Sequence, residues 1–166
     1  MPTVIENIAT EIVRRLQRIT IANGYTFDVA NVQRADRLGT SIVLENYLVL
    51  VVQQDSQPNE DLSHPGNPPA IAFDATFNIH CFVRESDREE SVMSTTANEM
   101  AGQVMKAITN ETIAPNKWWQ MAGNTITSEF GTIGPYSESD GVNAGVTLPL
   151  IVSYRISETD PYEVRA

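Results

Sequence analysis

Residues 70–83 read Ala70-Ile71-Ala72-Phe73-Asp74-Ala75-Thr76-Phe77-Asn78-Ile79-His80-Cys81-Phe82-Val83. Side chains on a strand alternate between faces, so Ile71, Phe73, Ala75, Phe77, Ile79, Cys81 and Val83 line one side of a long strand. Asp74, Thr76, Asn78 and His80 line the other. A slip of one residue would expose the whole apolar row, which determines the register. Upstream, Tyr47-Leu48-Val49-Leu50-Val51-Val52 is apolar at every position. That is the pattern of a central strand covered on both faces.

Helical periodicity flanks these strands. Ile5, Ile8, Ile12, Leu16 and Ile19 recur at spacings of three and four, with Ala9 and Val13 beside them. Thr3 is the expected N-cap, Glu6 completes a capping box, and Asn23-Gly24 is the expected stop. Arg14, Arg15 and Arg18 suit the negative end of the helix dipole; they read as a solvated face, with a protein contact as the alternative. A second amphipathic helix is expected from about Ser91–Ser94, with Met93, Ala97, Met100, Ala101, Val104, Ala107 and Ile108 as its apolar stripe.

Further strands are expected over Tyr25–Gln33, Asn124–Ile133 and Val142–Ile156. The last two are joined by a Gly/Ser/acid-rich turn at Gly134–Gly141. Pro161 cannot continue a central strand. The element order α-β-β-β-α-β-β predicts an α+β fold, with a mostly antiparallel sheet of about five strands and two helices on one face. At 166 residues the chain is expected to form one domain.

Between the two most apolar strands lies Gln57-Pro58-Asn59-Glu60-Asp61-Leu62-Ser63-His64-Pro65-Gly66-Asn67-Pro68-Pro69-Ala70. Loops of this length in a compact domain are uncommon and usually functional. Its prolines restrict the backbone and reduce the entropy lost on docking. Residues 56–70 are therefore expected to form an extended, preorganised interaction arm. Trp118-Trp119, read as neighbours on a strand, would face opposite ways, one buried and one available to anchor an interface or pack a loop.

The chain offers little chemistry. The formal charge is −10, from 11 Lys and Arg against 21 Asp and Glu. Such a balance favours solubility and opposes tight nucleic-acid binding. The single cysteine, Cys81, excludes an internal disulfide and reads as a small buried hydrophobe. His80 and Cys81 point apart on a strand and cannot share a metal ion. No phosphate-binding glycine loop and no G-x-S-x-G elbow occurs. Glu85, Asp87, Glu89 and Glu90 crowd one polar turn, where nothing would separate their pKa values for acid–base work. No apolar run reaches the length of a membrane helix, and the opening residues do not have the pattern of a secretory signal. No cofactor or metal is expected, and the compartment reads as a reducing cytosol or an assembly built there.

Several features in order along the chain resemble the tail-terminator and tail-completion (minor tail) proteins of long-tailed bacteriophages. These are Ile5-Glu6-Asn7-Ile8-Ala9 with the following Arg-Leu-Gln-Arg-Ile and Asn23-Gly24-Tyr25; the LSHPGNPPA stretch; the Asn98–Ile108 helix before a Trp-containing segment; and Tyr154-Arg155-Ile156-Ser157-Glu158 with Asp160-Pro161-Tyr162. The resemblance implies a non-enzymatic virion protein at the tail–neck junction, assembled in the bacterial cytoplasm. It would form a ring, usually a hexamer, that caps the tail tube, stops its growth and meets the head–tail connector, with DNA passing through unbound. On that reading Leu62, His64, Pro65, Asn67, Pro68, Pro69, Trp118, Trp119 and Tyr162 are the candidate interface residues. Glu85, Asp87, Glu89 and Glu90 are candidates for an acidic bore. A head-closure or neck adaptor is the alternative within the class. A small Asp/Glu hydrolase and a monomeric ligand-binding domain are the alternatives outside it.

Overall fold

The computed structural model describes residues 2–29, 31–35, 47–66, 69–83, 90–110, 117–137 and 144–164. The fold is α+β, as expected. Two helices, α1 (Val4–Leu16) and α2 (Glu90–Thr109), lie against an eight-stranded sheet. The strands are β1 (Asn31–Ala35), β2 (Tyr47–Gln53), β3 (Gln57–Pro58), β4 (Ala70–Val83), β5 (Thr127–Phe130), β6 (Gly134–Ser137), β7 (Ala144–Ser157) and β8 (Asp160–Val164).

The strand count corrects the expectation of about five. The eight segments nonetheless occupy five rows. β4 and β7 pair antiparallel along all 14 residues of each, Ala70 opposite Ser157 and Val83 opposite Ala144. On the far side of β4, β2 and β3 follow one another. On the far side of β7, β6, β5 and β8 share the outer row. β1 pairs with β2 in parallel, which makes the sheet mixed.

The alternation read in residues 70–83 is realised from Ala75 to Val83; at the start of the strand Ala70 and Ala72 are buried while Ile71 and Phe73 are half-buried, and His80, expected on the polar face, is buried as well. Ala75, Phe77, Ile79, Cys81 and Val83 join Val49 and Val51 of β2 and Val146, Leu148, Leu150 and Val152 of β7 in the main core. α1 contributes Val4, Ile8, Ala9, Ile12 and Leu16 to that core; α2 contributes Ala97, Met100, Ala101, Val104, Ala107 and Ile108. The Met93 side chain lies outside the described set. On the opposite face Leu48, Leu50, Val52 and Phe82 form a second buried cluster. β2 is thus apolar from Tyr47 to Val52 because both of its faces are covered.

Pro149 sits inside β7, a position that normally demands an N–H. Its carbonyl accepts from Gly131 N–H at 2.8 Å, so its edge faces the outer row. There the pairing with β5 stops at Leu150 and that with β6 stops at Thr147. The proline falls at the join between two strands, where no ladder hydrogen bond is lost.

Other expectations shift. Thr3 does cap α1, accepting from Glu6 N–H at 3.4 Å, but the Glu6 carboxylate turns to Arg34 at 2.6 Å instead of closing a capping box. α1 ends at Leu16; a separate 3-10 turn at Ile21–Asn23 follows, and Gly24 at φ +80° terminates that turn. The strand expected over Tyr25–Gln33 begins only at Asn31. Tyr25 and Phe27 are buried from an irregular segment, with the Phe27 ring 5.0 Å from that of Tyr47. Their alternation records an extended chain dipping into the core without a ladder. Gly134–Ser137, expected as turn, pairs with β7 as β6. Pro161 lies in the edge strand β8, as its missing donor requires.

Candidate partner-binding surface

The segment expected to project as an arm folds back along β4 over its described residues. Gln57 and Pro58 pair with Asp74 and Phe73. Asn59 N–H donates to Ala72 O at 2.9 Å, and His64 and Ala70 exchange backbone hydrogen bonds of 2.9 and 3.0 Å. Residues 47–66 and 69–83 therefore run as the two sides of an irregular β-hairpin, with Pro58, Pro65 and Pro69 in its distal half. Backbone donors and acceptors that a free arm would leave to water are satisfied here by the neighbouring strand.

Side chains fasten the same region. Asp74 accepts from Asn59 Nδ2 at 2.8 Å and from Ser153 Oγ at 2.6 Å, tying β3, β4 and β7 together. Asn59 Oδ1 receives the Leu62 N–H at 3.1 Å, and Ser63 Oγ donates to Asn59 O at 2.8 Å. Leu62 O accepts from Arg155 Nε at 2.7 Å, and Pro69 O accepts from Glu158 N–H at 3.2 Å. The outer rim of this end shows Gln57, Pro58, Glu60, Asp61, His64 and Pro65, all exposed. The His64 ring faces its own turn, with Nδ1 accepting from Gly66 N–H at 2.8 Å. Asn67 and Pro68 lie outside the described residues.

Trp118 and Trp119 are not on a strand. They open a 3-10 segment, Trp118–Gly123, and both are half-buried. Trp118 stacks on Phe130 with ring centroids 5.7 Å apart. Trp119 O accepts from Ser128 Oγ at 2.7 Å and also from Thr125 Oγ1. The segment then passes through Met121 (φ 41°) and Ala122 (φ 59°), left-handed conformations that cost non-glycine residues about 1–3 kcal/mol each. Full burial of Met121 offsets part of that cost.

Trp119, Gln120, Asn124, Thr125, Arg155 and Val164 line a cavity of about 290 Å³. It opens where the outer row is interrupted, since β5 reaches only Ser153 of β7 and β8 begins at Ile156. Tyr162 stands exposed on β8 close by in sequence to Val164. The structure thus gathers Leu62, His64, Pro65, Pro69, Trp119 and Tyr162 around one end of the sheet, while Trp118 turns into the core. A second cavity of about 460 Å³, lined by Arg34, Gln53, Gln54, Asp55 and Ser56, lies where β2 gives way to β3.

Glu85, Asp87 and Glu89 lie outside the described residues, and Glu90 is the first residue of α2, its side chain not described. Among the described residues no group of three or more His, Cys, Asp or Glu side chains converges to hold a metal. No helix among them is long and apolar enough to cross a membrane. His80 is buried, with Nδ1 2.8 Å from Thr147 Oγ1, and burial pushes its pKa below the ordinary histidine value. Burial pushes the Cys81 thiol up, as suits an unreactive core residue.

Sequence reasoning gave Arg155 no role of its own and placed Arg15 on a polar helix face. Arg15 is only 1% exposed and reaches Glu11, Ile108 O and Trp118 O, which corrects its reading as part of a solvated face. No protein-family model matches the chain, and no curated protein matches it.

Proposed function

We propose that this chain is a structural protein of a long-tailed phage particle, forming a ring that terminates the tail tube and joins it to the head–neck assembly. The support from geometry is the concentration of stiff, exposed features at one end of two 14-residue strands. The folded-back hairpin, the broken outer row and the short edge strand β8 meet there. Exposed strand edges are templates for main-chain pairing with another chain. β1, bordering the other side of the sheet, provides a different edge. Two different edges on one protomer suit a head-to-tail contact, which closes into a ring when the rotation per copy permits.

The hairpin's role changes accordingly. Its described residues are anchored to β4, so it presents a rigid rim to a neighbour in place of a reaching arm. The acidity fits a conduit for DNA, because carboxylates around a bore would repel the passing backbone. Glu85, Asp87, Glu89 and Glu90 are the residues assigned to it; neutralising all four with DNA delivery unchanged would count against that assignment.

The deciding experiment adds the purified chain to polymerising tail-tube subunits and measures tube length by electron microscopy. Tubes that stop short with a ring at one end support the terminator. Tubes of unchanged length, with binding to connector proteins instead, point to the neck adaptor. A chain that touches neither removes the virion reading.

A further inference from the structure

We propose that the cavity at the break in the outer row is a carboxylate receptor, and that its occupant is an acidic side chain of a second copy of this chain. This rests on the ring reading above and names the contact through which one copy holds the next.

Arg155 Nε is committed to Leu62 O at 2.7 Å, which fixes the plane of the guanidinium. Among the described residues that is the hydrogen bond Arg155 makes, so both Nη groups keep their donors. The guanidinium fork matches the two oxygens of a carboxylate, and a fork held in place loses little entropy on binding one. Arg155 is one wall of the 290 Å³ cavity; Trp119 and Val164 give it apolar walls and Gln120 a further amide. That volume is at the lower limit for small-molecule sites, so it suits one or two side chains better than a cofactor.

The construction of the site is costly. Three successive residues, Met121, Ala122 and Gly123, run at φ 41°, 59° and 87°, and residues before and after this reversal, Trp119 and Gln120 and then Asn124 and Thr125, all line the cavity. Strained backbone held by its surroundings gathers at binding sites. The ladder along β7 omits only Tyr154 and Arg155 at the same place, with Ile126 N–H still donating to Ser153 O at 2.7 Å, so the opening between β5 and β8 has the width of a side chain and not of a strand.

Charge complementarity identifies the occupant. The chain has 21 acidic residues against 11 basic ones. Exposed carboxylates such as Asp55, Glu99, Glu129 and Glu158 are the groups that another copy has to offer. An accessible arginine fork on this background selects for a sister molecule in one orientation, while the acidic surfaces elsewhere repel each other.

The test compares wild type with Arg155→Gln, Val164→Glu and Val164→Gln by native mass spectrometry and light scattering, each alone and with tube subunits. Val164 borders the cavity at 37% exposure, so a glutamate there supplies a carboxylate in cis and blocks docking without disturbing the core. The expected result is ring formation by wild type and Val164→Gln. Arg155→Gln and Val164→Glu should be folded monomers whose association is at least about thirty-fold weaker. If both assemble like wild type, the proposal is overturned while tube termination stands. If wild-type rings fail to stop tubes but the two variants fail to form rings, the tail reading falls and this contact survives. A wild type that stays monomeric under both conditions overturns the proposal. So does saturable binding of N-acetylglutamate, followed by Trp119 fluorescence, in a chain that never assembles.

Discussion

Arg15 Nη1 donates to the Ile108 carbonyl at 2.7 Å, so a fully buried cation of α1 closes the last turn of α2. The same nitrogen donates to Trp118 O at 2.8 Å, and Nε pairs with Glu11 at 2.8 Å. Helix C-termini leave carbonyls without intrahelical donors, and a positive charge there also opposes the helix dipole. One side chain thereby joins α1, α2 and the start of the Trp118–Gly123 segment. Arg15→Met retains bulk but takes their donor from the Ile108 and Trp118 carbonyls and leaves Glu11 with Arg14 as its remaining partner. It is expected to cost about 2–6 kcal/mol, from two buried carbonyls at about 1–3 kcal/mol each. Urea unfolding measures this.

Acid stability should fall in two steps. Burial lowers the His80 pKa below the ordinary histidine value of 6.5, so the unfolded chain takes up that proton first. The His80 contribution is complete above about pH 6.5 and declines as pH drops toward the folded value. The second step belongs to Glu11. Burial alone would raise its carboxyl, but hydrogen bonds and charge from Arg14 and Arg15 outweigh it and hold the group below 4.5. Glu6 is lowered too, chiefly by its hydrogen bond to Arg34. Their contribution is complete above about pH 4.5 and is lost as pH falls through the folded values. Unfolding midpoints measured from pH 3 to 8 should show both steps; His80→Gln removes the upper one and Glu11→Gln shrinks the lower.

Asn59 holds the distal hairpin through Asp74 and the Leu62 N–H. Asn59→Ala is expected to cost about 1–2 kcal/mol, the scale of a lost hydrogen bond with one partner left unsatisfied. Hydrogen exchange should accelerate at residues 59–64 and 70–72 and stay unchanged in the centre of β7. Equal acceleration throughout β7 would show that the hairpin is not a separate cooperative unit.

Gly24 adopts φ +80°, and an added Cβ would meet nothing within 4 Å. The cost of Gly24→Ala is therefore conformational, about 1 kcal/mol, and Gly24→Asn should cost less because asparagine tolerates the left-handed region better. Thermal midpoints of the two variants decide it. A neutral Gly24→Ala would mean that the turn relaxes.

The strands of the central rows were legible because burial of one face imposes period two and burial of both faces removes the polar positions, as residues 70–83 and 47–52 show. The helices were legible because Ile8, Ile12 and Leu16, and Ala97, Met100 and Val104, repeat at the spacing of one helical face. The candidate surface was legible only in part. Leu62, His64 and Pro65 were marked by the proline-rich composition, but composition reports stiffness and carries no information about what a stiff segment lies against.

What sequence alone determined here is local: which residues alternate, which share a helix face, and where a proline or glycine forbids or permits a conformation. Tertiary structure decided the contacts between segments far apart in the chain. Arg15 reads as one more charge on a polar face until Ile108 and Trp118 close over it, 93 and 103 positions away. Asn59, Asp74 and Ser153 are unremarkable polar residues until strand register brings them onto one carboxylate. Arg155 acquires a cavity only because β5 stops short and β8 begins late along the same strand. Hydrogen bonds and ion pairs depend on the distance and angle between partners, and for partners this far apart only the completed packing of the chain sets those quantities.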